Sequence, residues 1–120
     1  MPSQETLVRI AAAPYAGTRA RAGLDAALAF AAFGQPPAVL LSGPGVLALP
    51  PRQANSSHGT PSLRKVLDSL PLYDIDTLWV CAASLERHGL ADLELPAYAA
   101  RADSALLRRL LSEASAVLSF

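Results

Sequence analysis

A single cysteine, Cys81, and a single lysine, Lys65, occur in this chain of 120 residues. One thiol cannot close an intrachain disulfide, and it cannot supply the ligand set of a zinc cluster. Nine of the ten basic residues are arginine, and ten acidic residues balance them. That balance speaks against a broad basic face for nucleic acid and leaves only local pairs such as Arg19 and Arg21. No stretch reaches the roughly 18 uninterrupted apolar residues of a membrane span. Met1-Pro2-Ser3-Gln4-Glu5 has no basic run leading into an apolar core, so no secretory leader is expected and the cytoplasm is the default compartment. Glycine fingerprints are also missing. Gly17 and Gly23 do not form a dinucleotide motif, and Gly43-Pro44-Gly45 lacks both G-x-G-x-x-G spacing and the lysine of a P-loop. No cofactor and no metal are expected.

What is present is an apolar chain, 52% hydrophobic, with only 17% charged residues. Its length suits one domain spanning residues 1–120. Such sparse charge suggests that part of the surface is covered by partner chains.

Leu7 to Ala13 reads as a first strand, ended by the turn Pro14-Tyr15-Ala16-Gly17. Thr18 to Phe33 reads as a long helix with Leu24, Leu28 and Ala31 on one face; Phe30 and Phe33 widen the apolar arc toward a second contact. Gly34 and Pro36-Pro37 stop it. Ala38 to Ser42 is a non-alternating run of the kind found in buried parallel strands. Gly43-Pro44-Gly45 makes a sharp turn before one helical turn at Val46–Leu49. Arg52 to Gly59 reads as a polar loop, and Thr60-Pro61 as the cap and first position of a helix bearing Leu63, Val66, Leu67 and Leu70. Asp76–Val80 reads as a third strand, Cys81–His88 as a helix closed by Gly89, Ala97–Ala100 as a short strand, Asp103–Ser112 as a helix with Leu106, Leu107, Leu110 and Leu111 inward, and Ala116–Phe120 as a last strand. Alternation at this spacing predicts a three-layer α/β domain, a mostly parallel sheet with helices on both faces.

Cys81 is the candidate catalytic residue, because it falls at the carboxyl end of a strand and the start of a helix. Reactive groups gather at such ends, and nearby helix N–H groups favour thiolate. The competing reading is a small buried hydrophobe. His88, seven residues on, is two helical turns away and reads as a charge near the helix C-terminus. Asp25 reads as a solvated acid near Arg21, Asp74 and Asp76 as turn caps, Trp79 as core or interface filling, and His58 as a lone histidine in a polar loop.

Leu72-Tyr73-Asp74-Ile75-Asp76, Trp79-Val80-Cys81-Ala82-Ala83-Ser84-Leu85 and Arg87-His88-Gly89-Leu90 together resemble the TusC/DsrF branch of the DsrE/DsrF-like family. Ala13-Pro14-Tyr15-Ala16-Gly17-Thr18, Gly23-Leu24-Asp25-Ala26, Ala105-Leu106-Leu107-Arg108-Arg109 and Val117-Leu118-Ser119-Phe120 extend the likeness over nearly the whole chain. Ala22 departs from the acidic residue expected before Gly23, and Ala11-Ala12 replace bulkier strand residues. The resemblance implies a DsrE-like, flavodoxin-like architecture. It implies a cytoplasmic subunit that joins TusB-like and TusD-like partners, two copies of each, in a heterohexamer. That assembly takes sulfur from an upstream persulfide donor protein and relays it toward the 2-thiouridine of the tRNA wobble position, with any tRNA contact indirect. The main sulfur-carrying cysteine then lies on the TusD-like subunit, and Cys81 is auxiliary or structural. The alternatives are a DsrF-like subunit of a sulfur-oxidation complex and a self-sufficient small thiol sulfurtransferase.

Overall fold

The computed structural model describes residues 5–50 and 63–120. Five strands and four helices alternate along it: β1 (Thr6–Ile10), α1 (Arg19–Ala32), β2 (Ala38–Leu41), α2 (Leu63–Asp68), β3 (Leu78–Cys81), α3 (Ala82–Arg87), β4 (Ala99–Ala102), α4 (Ser104–Glu113) and β5 (Ala116–Ser119). Two 3₁₀ segments, Gly43–Ala48 and Leu70–Tyr73, follow β2 and α2. The strands form one sheet in the order β4-β3-β2-β1-β5, and every pairing is parallel. The expected polar loop at 52–59 and the Thr60-Pro61 helix start lie outside the described residues.

Strand order decides where the helices go. From β1 to β4 the chain steps across the sheet in one direction, and it then returns past three strands to set β5 beside β1. Right-handed crossovers place α1, α2 and α3 on one face and α4 on the other. The register agrees, since in-register residues of parallel strands point the same way. Val8, Val39 and Leu78 form one row of the first face; Ile10, Leu41 and Val80 form the next. All six belong to the main apolar core, with Ala20, Leu24 and Ala27 of α1, Leu63 and Leu67 of α2, and Leu85 of α3. Leu7, Arg9, Leu40, Trp79, Cys81 and Ala102 occupy the second face. There α4 has no fully buried residue. Leu106, Leu107 and Leu110 are half-buried, whereas Leu111, expected to point inward, is 43% exposed.

Several boundaries differ from the sequence expectation for local reasons. β1 stops at Ile10 rather than Ala13, because the amides of Ala11 and Ala12 both donate to the Phe120 carbonyl and leave the ladder. After β2, the chain turns at Gly43 (φ +51°), and Gly45 packs so closely on β1 that a Cβ there would collide with the Ile10 carbonyl. That contact, rather than phosphate binding, accounts for the glycine turn. Gly23 also lets α1 approach, since a Cβ would come within 2.8 Å of the Ile10 side chain. Leu70–Tyr73 winds as a 3₁₀ segment that Asp74 ends with φ 67°. β4 begins two residues later than expected, at Ala99. Phe33 stands 86% exposed at the end of α1, so its second contact is not made among the described residues.

Candidate functional site

Cys81 ends β3 and caps α3, as its position in the sequence suggested. Its backbone is extended (φ −64°, ψ 116°), and its in-register neighbour on β4 is the fully buried Ala102. The residue is only 8% exposed and unpaired with any other cysteine. Its sulfur makes no capping hydrogen bond to α3. The helix start is held instead by Ser84, whose Oγ accepts from the Gly43 amide at 2.8 Å and ties α3 to the turn after β2. His88 forms the C-cap of α3, with Gly89 beyond it at φ +72°. His88 thus sits at the opposite end of α3 from Cys81.

Beside Cys81, the second face carries a polar contact that the sequence reading missed. Arg9 Nε donates to Ser42 Oγ at 3.2 Å. Ser42 follows Leu41, the register partner of Val80, so it stands beside Cys81 in the next row of the second face. Arg9, Leu40 and Trp79 form the row below. Ser42 and Cys81 are both buried, Trp79 is half-buried and Arg9 is exposed. The available signal was an arginine set inside the otherwise apolar run Leu7-Val8-Arg9-Ile10. Below this row, Glu5, Leu7, Ala38, Trp79, Leu110, Glu113 and Ala114 line a cavity of about 130 Å³ between α4 and the sheet. Burial pushes the Glu5 carboxyl up from its ordinary value.

A second polar cluster joins α2 to the segment before β4. Tyr98 donates its hydroxyl proton to Asp68 Oδ1 at 2.6 Å, and Arg64 Nε donates to the same oxygen at 2.8 Å. Arg64 also reaches the Leu49 carbonyl. Burial tends to raise the Asp68 carboxyl, but the bonds from Tyr98 and Arg64 and the guanidinium charge bring it below its usual value. Burial, and then the bond to Asp68 with its negative charge, pushes the Tyr98 phenol well up. Arg64 and Leu93 to Ala97 border an open cleft of about 470 Å³ nearby. Asp25 pairs with Arg21 at 3.1 Å on the exposed side of α1, which leaves it a solvated acid in a helical ion pair. Among the described residues no His, Cys, Asp or Glu grouping could hold a metal ion, and no helix is long and apolar enough to cross a membrane. Every buried side-chain nitrogen and oxygen described has a hydrogen-bond partner, so no orphaned polar atom marks a small-molecule pocket.

A model of the DsrE/DsrF-like family matches residues 5–120. The chain belongs to the DsrE/DsrF-like family. It is 34% identical over 117 residues to a "Protein TusC homolog" from Pseudomonas aeruginosa, covering 98% of both chains. The crystal structure of the YchN protein of E. coli superposes with a TM-score of 0.82 over 98% of this chain and 99% of that one. At 19% identity that likeness speaks for the fold alone. Cys81 thus takes a buried strand-end position in this fold.

Proposed function

We propose that this chain is a TusC-like subunit of a cytoplasmic sulfur-relay complex that supports 2-thiolation of the tRNA wobble uridine. It assembles with TusB-like and TusD-like subunits, two copies of each, and meets tRNA only indirectly. The observation that carries the reading is the nearly end-to-end likeness to a TusC homolog. The inward position of Cys81 supports an auxiliary role for that thiol, with the main sulfur carrier on the TusD-like partner. The chemistry is displacement at sulfur. An acceptor thiolate attacks the outer sulfur of a donor persulfide, a new S–S bond forms on the acceptor, the donor S–S bond breaks, and the donor leaves as thiolate. No oxidant is consumed.

The test is intact-mass measurement of the co-purified complex after loading with a persulfide donor protein. The expected result is added sulfur on the TusD-like subunit, unchanged by Cys81→Ser in this one. Sulfur loading of this chain by itself, abolished by Cys81→Ser, would replace the reading with a self-sufficient sulfurtransferase.

A further inference from the structure

Resting on the subunit reading, we propose that the strip of the second sheet face beside α4, anchored by Arg9, docks a partner segment that carries a carboxylate among apolar side chains. Arg9 lies on an interior strand, between β2 and β5. Its sequence neighbours Val8 and Ile10 are buried in the main core. A sheet covered on both faces would place an apolar residue there. Arg9 is exposed instead, and so is Ser119 beside it on β5. In the row below, Val117 is 41% exposed next to the buried Leu7. The strip thus combines apolar side chains and two serines, Ser42 and Ser119, with one cation, Arg9.

That cation is held in place yet unneutralised. The bond from Arg9 Nε to Ser42 Oγ pins the guanidinium against the sheet. The ion pairs among the described residues involve Arg21, Arg64 and Arg109, not Arg9. The terminal N–H groups of a pinned guanidinium match the two oxygens of a carboxylate. Apolar contacts around the pair would exclude water and strengthen it. Glu5 and Glu113 lie toward the other end of the same face, so a second copy of this chain is the competing occupant.

The experiment uses the full chain with its TusB-like and TusD-like subunits and measures assembly by titration at two salt concentrations. Arg9→Glu is expected to weaken assembly at least tenfold, Arg9→Lys less, and Val117→Asp comparably to Arg9→Glu. Arg9→Gln is expected to flatten the salt dependence shown by the wild type. Arg108→Glu, on the exposed side of α4, should leave assembly unchanged, and unaltered melting of each free variant would show that folding is intact. If Arg9→Glu assembles as tightly as the wild type, this docking surface is wrong while the subunit reading stands. A homodimer of the isolated chain that Arg9→Glu dissociates would overturn the proposal in favour of a second copy. A wild-type chain that binds neither partner would overturn both.

Discussion

The two faces of the sheet are finished to different degrees. On the first, α1, α2 and α3 bury two full rows of Val, Leu and Ile side chains. On the second, α4 is the one described helix that crosses the sheet; no residue of α4 is fully buried, Trp79 is half-buried and Arg9 is exposed. The closed face holds the fold together, and the open one is where this chain can be completed by another. Cys81 belongs to the second face, at its carboxyl end.

The largest expected contrast comes from truncating one leucine on each face. Leu67→Ala, at a fully buried site of α2, should cost about 2–5 kcal/mol in urea unfolding. Leu110→Ala, half-buried on the sheet-facing side of α4, should cost about 1 kcal/mol or less. Equal losses would erase the distinction between the faces. Gly45→Ala comes next: a Cβ driven into the Ile10 carbonyl should lower stability by about 1–3 kcal/mol, read from the same unfolding curves.

Tyr98→Phe should cost about 1–2 kcal/mol by removing the bond to Asp68, and its pH dependence has a defined sign. Asp68 sits below its ordinary value, so its contribution is complete above the unfolded-state value of 3.8 and is lost as pH falls through the lower folded value. Tyr98 sits above its ordinary 10.0, so its contribution is complete below that value and is lost as pH rises beyond it. The gap between wild type and variant should therefore be flat across neutral pH and narrow in strong acid and strong alkali. A gap that widened in acid would contradict the assignment. The smallest effect concerns the cover of the open face. Asp103 accepts from the Leu106 amide at 2.9 Å as the N-cap of α4. Asp103→Ala should cost about 1 kcal/mol, with faster amide exchange in α4 than in α1.

Much of this contrast was legible in the sequence. Non-alternating runs such as Ala38-Val39-Leu40-Leu41 announced buried parallel strands, and Gly34 and Gly89 marked helix ends. Cys81 could be placed at its strand–helix junction from the run Leu78-Trp79-Val80 before it. The ladder's early end after Ile10 was not legible, because it depends on the Phe120 carbonyl and on Gly45, both distant in sequence. The inward direction of Leu111 was overestimated, since helical periodicity counts apolar residues without knowing how much sheet lies beneath them. Tyr98 and Asp68 are brought together across 30 residues by tertiary packing alone. Arg9 was visible as a charge inside a strand, but only strand order shows that its strand is an interior one.

The central claim is that this fold is one part of a larger assembly. Its most direct test is the solution mass of the purified chain, alone and mixed with TusB-like and TusD-like subunits. The account predicts a stable complex holding two copies of each chain. A monomer whose mass and hydrogen exchange stay the same when those subunits are added would contradict it.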